Sequence, residues 1–219
     1  MERLFLTKNW LEKSRNAWEN FGISQSNIMF DKKTFRGKLQ AEELQWIISH
    51  ISTGAQKILD AGCGPGRYTK IITEEGKMVV SYDFSRSILK LLPKNLGCIK
   101  SILIQGNIQT LPFKDNQFDV VLILDVLHHL ETKEMRMNAI KEGFRVSNQY
   151  VFLDVKNKYN PYLWYRYMKM KDPFLRVAYT YDEISNAIKD SGGIVSETKG
   201  LGFPVKFFAP YILIKAVKT

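Results

Sequence analysis

Cysteine is scarce in this chain: Cys63 and Cys98 are its only two. Two cysteines make no disulfide framework, and a reducing compartment is the better expectation. Long apolar runs are missing as well. No stretch approaches the roughly 20 residues that a membrane-spanning helix needs. Residues 1–20 alternate charge with aromatics and lack the apolar run of a secretory signal, so a cytoplasmic protein is expected. There is no internal repeat and no low-complexity tract, which leaves a single folded domain as the economical reading.

What is present fits that reading. The chain has 219 residues, 45% hydrophobic and 25% charged, enough for one well-buried core and too few for two comfortable domains. Its charge is lopsided, with 32 Lys and Arg against 22 Asp and Glu, a net +10. A surplus of that size points to an anionic partner (nucleic acid, phospholipid or a phosphorylated metabolite) or to a lysine-rich solvated surface that binds nothing.

Three styles of sequence follow one another. Residues 1–53 read as an amphipathic helical cap with Trp10, Trp18, Phe21, Phe35, Trp46 and Ile47 as candidate buried positions. Residues 54–155 alternate short apolar runs with helical stretches, the runs being Lys57–Ala61, Met78–Tyr82, Ser101–Ile104, Phe118–Leu124 and Tyr150–Leu153. That alternation predicts βαβ units and a parallel sheet buried on both faces. A basic aromatic segment follows over 156–178. Thr180-Tyr-Asp-Glu183 is then a capping box for a helix ending near Ser191-Gly-Gly193, and runs at Ile194–Ser196 and Tyr211–Val217 can supply the last two strands of 179–219.

The most informative segment is Ile58-Leu-Asp-Ala-Gly-Cys-Gly-Pro-Gly-Arg67. It leaves a strand, turns on Gly62, Gly64 and Gly66, and enters a helix through Tyr68. Glycines let backbone pass close to a ligand at φ values closed to other residues, and in open parallel sheets ligands sit beyond the carboxyl ends of the strands. A phosphate-binding P-loop is excluded, since Arg67-Tyr68 stands where Lys-Ser/Thr is needed. The dinucleotide fingerprint fails too, because its sixth position, counted from Gly62, is Arg67. About 20 residues beyond Gly62, Asp83 ends the second strand, where a carboxylate can accept both hydroxyls of a ribose. Phe84 and Ser85 follow it, Ser85 suiting a helix N-cap. Gly106-Asn107-Ile108-Gln-Thr-Leu-Pro-Phe113 precedes the fourth strand.

With Asp60 before it, the Gly-x-Gly-x-Gly spacing resembles the first motif of the class I S-adenosylmethionine (SAM) dependent methyltransferases, in particular their small type 11 members. Asp83 and the Asn107 loop match the next two motifs in order, and the likeness covers residues 57–155. It implies a Rossmann-like, doubly wound α/β fold: a seven-stranded, mostly parallel sheet with an antiparallel last strand, helices on both faces and the N-terminal helical cap. It also implies SAM as cofactor and S-adenosylhomocysteine as product. Asp60, Gly62, Cys63, Gly64, Gly66, Tyr68, Asp83, Phe84, Asn107, Ile108 and Leu124 then fall at cofactor-binding positions. The family commonly has Asp at Asn107, whose amide oxygen can still meet the adenine amino group. Arg36 is placed to meet the SAM carboxylate.

Leu124-Asp-Val-Leu-His-His-Leu130 resembles the loop of quinone-pathway relatives, with Asp125 and His129 at polar positions bordering the substrate. His129 is either a general base, its imidazole near pKa 6.5 taking the proton released on methylation, or a residue that orients the loop. His128 stands where some relatives carry a carboxylate, so no metal is expected. The family's Lys-Pro-Gly-Gly turn is replaced by Arg145-Val-Ser-Asn148, where Ser147-Asn148 is expected to turn without glycine.

The segment Lys156–Phe174 lies where such enzymes build a substrate lid. Tyr162, Trp164, Tyr165 and Tyr167 with Lys158, Arg166, Lys169 and Lys171 suit an aromatic or lipid-like acceptor, an anionic group or peripheral membrane contact. Packing of these aromatics on the N-terminal cap is the plainer alternative. Three functions follow: methylation of a small molecule, with an aromatic or lipid-like acceptor slightly favoured; methylation of RNA, for which the positive charge speaks; or SAM binding without transfer.

Overall fold

A computed structural model describes residues 35–51, 54–97, 101–170, 177–203 and 208–219. Seven strands form one sheet: β1 (Lys57–Ala61), β2 (Met78–Asp83), β3 (Ile102–Gln105), β4 (Phe118–Ile123), β5 (Ser147–Lys156), β6 (Gly193–Leu201) and β7 (Tyr211–Lys218). Their order across the sheet is β3-β2-β1-β4-β5-β7-β6. The first five run parallel, and β7 is antiparallel to both of its neighbours. The expected doubly wound architecture with an antiparallel last strand is the observed one.

Strand alternation sends side chains to two cores. Leu59, Ala61, Val121 and Ile123 point to the face covered by α4 (Lys133–Val146) and α6 (Tyr181–Asp190). Ile58, Val79, Val120 and Leu122 point to the other, covered by α1 (Phe35–His50) and α2 (Arg67–Glu74). Two-sided burial is why these strands read as continuous apolar runs. The helix α3 (Arg86–Leu96) packs Ile88, Leu89, Leu92 and Leu96 against Cys63 of the glycine loop.

Local signals set the helix ends. Ser85 and Thr132 cap α3 and α4 by accepting from Ile88 N and Met135 N. Thr180 and Glu183 form the reciprocal capping box of α6. One expectation fails: Ser147-Asn148 is not a turn. Val146 ends α4 and Ser147 already belongs to β5, its hydroxyl donating to Tyr150 O. Phe118 pairs with Ser147 but Val120 with Tyr150, so an extra β5 residue is absorbed as a bulge.

Of the expected N-terminal cap, α1 lies within the described residues and packs Leu39, Leu44 and Ile47 directly on the sheet; Trp10, Trp18 and Phe21 lie outside them. Of the lid segment, α5 (Pro161–Met170) is described. Leu163 is buried there, while Tyr162, Trp164 and Tyr165 are exposed.

Candidate active site

The carboxyl ends of β1 and β2 build a backbone cradle. Gly62, Gly64 and Gly66 have φ of 91°, 52° and 87°, left-handed values that side chains resist. Gly62 N and Cys63 N both donate to Tyr82 O, at 2.7 and 3.1 Å, which stitches the loop to β2. A Cβ on Gly62 would strike Val126, and one on Gly66 would press on Leu92. At Gly64 it would meet nothing within 4 Å, so the middle glycine faces open space. Cys63 is buried, and burial pushes its thiol up, so it acts as packing. Asp60 is turned inward: its Oδ2 accepts from Thr69 N (3.1 Å) and Thr69 Oγ1 (2.6 Å), tying α2 to β1. Burial raises this carboxyl to about 6.

Asp83 stands across from the loop. Its Oδ2 accepts from Gly64 N at 2.9 Å and its Oδ1 from Ser85 N at 2.8 Å. Each carboxylate oxygen can accept a second hydrogen bond, so the geometry suits a vicinal diol laid over Gly64. Phe84 lies between Asp83 and α3, its carbonyl accepting from Gln105 Nε2. Tyr82 OH donates to Asn107 O at 3.2 Å, a contact that leaves no room for a Cβ on Gly106. Asn107 is engaged within its own loop. Its Oδ1 already accepts from Gln109 N (3.0 Å) and Gln109 Nε2 (3.2 Å), so an adenine amino group would have to displace the glutamine side chain. Ile108 and Leu124 are buried side chains.

This edge of the cradle depends on residues thirty positions away. Arg145 donates to Leu111 O (2.9 Å), Phe113 O (2.8 Å) and both oxygens of Glu142, while Glu142 Oε2 also accepts from Leu111 N at 2.7 Å. In the sequence Arg145 stands out only as a departure from the family's turn.

A second feature lies beyond β4. Asp125 adopts φ 57°, a strained value for a residue with a Cβ and one that recurs at functional sites. Its N–H donates to Asp154 Oδ1 at 2.6 Å, and its Oδ2 accepts from Arg67 Nη2 at 3.0 Å. Asp125 and Asp154 border a cavity of about 90 Å³, with Gln40 and Glu43 of α1, Tyr162 of α5 and Tyr211 of β7 among its walls. Burial, reinforced by the neighbouring carboxylates, pushes the Glu43 and Asp154 carboxyls upward. Tyr68 is also buried, its phenol raised by burial and by Glu43.

Asp125 therefore reaches the cavity, whereas His129 is not among the residues that line it. His129 ends a short 3-10 turn (Leu127–His129), half-buried, with its ring 4.0 Å from that of His128. Arg36 lies on the first turn of α1, and its side chain is outside the described residues. Sequence reasoning missed Glu43, Asp154 and Arg67. Asp154 left a trace, a carboxylate inside the apolar run Val151-Phe-Leu-Asp-Val155, whereas Glu43 left none.

Comparison with known proteins agrees with this geometry. Residues 59–150 match the family model described as a methyltransferase domain. Mouse "Probable tRNA methyltransferase 9B" is 35% identical over 89 residues, 41% of this chain and 19% of that protein. The ubiquinone/menaquinone biosynthesis C-methyltransferase of Wigglesworthia glossinidia brevipalpis is 31% identical over 150 residues, 61% of this chain and 60% of its own length. The chain thus spans only part of each of these relatives. The crystal structure of magnesium protoporphyrin IX methyltransferase from Synechocystis PCC 6803 with bound SAM has the same fold, with a TM-score of 0.71 at 18% identity over 96% of this chain and 97% of that one. The domain match over residues 59–150, the sheet order and the likeness to that structure give the chain the Rossmann-like fold of SAM-dependent methyltransferases.

Proposed function

We propose that this protein transfers the methyl group of SAM to a small-molecule acceptor with an aromatic or lipid-like body. The observation that carries the reading is the open face of Gly64 set against the Asp83 carboxylate. Asp83 would accept the ribose hydroxyls, the backbone of Gly62–Gly66 would follow the methionine part, and Phe84, Asn107 and Ile108 would border the adenine. SAM supplies a methyl group activated on a sulfonium, so the chain's own task is alignment and exclusion of water. Tyr162 at the cavity, with Trp164 and Tyr165 exposed on the same helix, supports an aromatic or lipid-like body. Asp125 orients the acceptor. His129 shapes the turn beneath it and does not remove a proton, so His129→Gln lowers turnover without changing the shape of its pH profile.

The test is calorimetric titration of SAM and S-adenosylhomocysteine into wild type and Asp83→Ala. Micromolar binding weakened by about 1.5–3 kcal/mol, the loss expected for a hydrogen bond to a charged group, is the expected result. Absence of binding to wild type sinks the reading. RNA as acceptor is the second reading, favoured by the net charge of +10 and by relatives named as tRNA methyltransferases. It requires an RNA complex whose affinity falls steeply with salt. A SAM-turnover assay with candidate acceptors separates both from a protein that binds SAM and transfers nothing.

A further inference from the structure

The cavity beyond β4 carries a charge pattern that methyl transfer to an unspecified acceptor does not explain. In a chain with ten surplus positive charges, its polar lining includes three carboxylates from three separate elements: Glu43 on α1, Asp125 after β4 and Asp154 in β5. Glu43 and Asp154 are only 5% and 3% exposed. Burying a carboxylate costs several kcal/mol unless something compensates it. For Asp154 the Asp125 N–H does so in part, and Asp125 itself is paired with Arg67. Glu43 Oε1 is buried with no hydrogen-bond partner. The Tyr68 phenol lies beside it and lowers its pKa somewhat, but makes no hydrogen bond of ordinary geometry with it. Among the described residues, no such group of side chains is arranged to hold a metal ion.

We propose that this cavity receives the nitrogen of an amine acceptor, with the Glu43 carboxylate accepting its N–H and Asp154 beside it. The inference rests on the methyltransferase reading and names its substrate class. Three observations select an amine. The buried acceptor atom lacks a donor, and carboxylates surround the space. A volume of about 90 Å³ has room for an ammonium head with small substituents. Tyr162 and Tyr211 add ring faces that suit a cation and an apolar body.

Two further cations bound the site. Arg166 lines the cavity with its guanidinium 5.8 Å from the Tyr162 ring centroid, and Lys156 acts on Asp154. Arg67, already paired with Asp125, makes three cations against the three carboxylates. The cavity is also distinct from the cofactor cradle, because no residue of the glycine loop, nor Asp83 or Asn107, lines it.

The reaction balances without an added reagent. The bound ammonium gives a proton to the Glu43 carboxylate, whose affinity for protons burial has increased. The nitrogen lone pair then attacks the sulfonium methyl carbon of SAM. As the N–C bond forms the C–S bond breaks, and its electron pair stays on sulfur in S-adenosylhomocysteine. The product leaves as the N-methylated ammonium, and Glu43 returns its proton to water.

The test is calorimetry on the full chain saturated with S-adenosylhomocysteine, titrated with phenethylamine and with its neutral analogue phenethyl alcohol. The amine should bind at least tenfold more tightly. Glu43→Gln and, as a second variant that keeps the packing, Asp154→Asn should each remove that preference while leaving S-adenosylhomocysteine affinity within about twofold. Equal binding of amine and alcohol by a wild type that still binds S-adenosylhomocysteine overturns this inference alone. Loss of S-adenosylhomocysteine affinity in Glu43→Gln also overturns it, by assigning Glu43 to the cofactor's own ammonium. Failure of wild type to bind S-adenosylhomocysteine at all overturns the methyltransferase reading beneath it.

Discussion

Replacing Gly64 with alanine separates the cost of the loop's shape from the presence of a ligand over it. The glycine has φ 52°, and an added Cβ would meet no protein atom within 4 Å. The protein alone therefore opposes the methyl group only through the left-handed backbone, about 1–2 kcal/mol for a residue with a Cβ. For a chain of this length that is a Tm drop of roughly 2–8 °C. The Gly64 N–H still reaches Asp83. A cofactor laid between Gly64 and Asp83 meets the new methyl directly, and overpacking of that kind costs about 1–3 kcal/mol. That is roughly a 5- to 150-fold rise in Kd.

Scanning calorimetry gives the first quantity, and titration with S-adenosylhomocysteine gives the second. Gly192→Ala is the control. It has φ 89° and open space around its would-be Cβ, but it follows the C-terminal end of α6. It should lose comparable stability and bind S-adenosylhomocysteine like wild type. If Gly64→Ala also binds like wild type, the open face of that glycine is not a cofactor wall and the reasoning fails at its first step.

Further expectations follow from other contacts. Arg145→Ala removes donors to Leu111 O, Phe113 O and Glu142 and should cost about 2–3 kcal/mol in urea unfolding. Arg145→Lys should recover little of it, because one ammonium cannot span those acceptors. Asp60, raised from 3.8 to about 6 in the folded state, binds its proton more tightly folded than unfolded. Stability should therefore fall as pH rises through about 4–6, by on the order of 3 kcal/mol at most. Asp60→Asn should remove that dependence, read as the difference in Tm between variant and wild type across the window. Thr180→Ala breaks the α6 capping box and should cost about 1 kcal/mol while leaving SAM affinity unchanged, since it touches no part of the cradle.

The parts of the molecule legible in the sequence are those fixed by local chemistry. Lys57–Ala61 reads as a strand because it is a short, mostly apolar run leading into the glycine turn, and the Thr180 box marks its helix start through a three-residue reciprocity. The Gly62–Gly66 loop declares itself because its backbone φ values admit little else. What the sequence hid is long-range. Glu43 is an ordinary glutamate on a helix until the sheet places it near Asp125 and Asp154. Arg145 is an unremarkable basic residue until the 111–115 loop folds over it. The inward turn of Asp60 depends on Thr69 and Ser81 lying across from it, which spacing alone does not reveal.

The strand order accounts for why cradle and cavity lie side by side. Because β1 sits between β2 and β4, the chain leaves β1 and β4 in diverging directions and opens a crevice at their carboxyl ends. The Gly64–Asp83 cradle occupies the β1–β2 side, and the carboxylate-lined cavity the β4–β5 side. The antiparallel strand gives the cavity its far wall. In a parallel β7 the strand's beginning would lie at the opposite edge of the sheet. Running the other way, β7 pairs Tyr211 with Lys156, so its first residues arrive beside the end of β5. Pro210 O accepts from Asn157 N, Ala209 O from Asn157 Nδ2, and Phe208 O from Asn160 Nδ2. Asn160 Oδ1 in turn accepts from Leu163 N at the start of α5. The two asparagines thus lock the entry of β7 to the base of the aromatic helix. Tyr211 and Tyr162 are held on the same cavity as Asp154. An acceptor placed there is gripped by elements from both ends of the sheet's second half, and the cofactor's methyl group would reach it across the turn at Asp125.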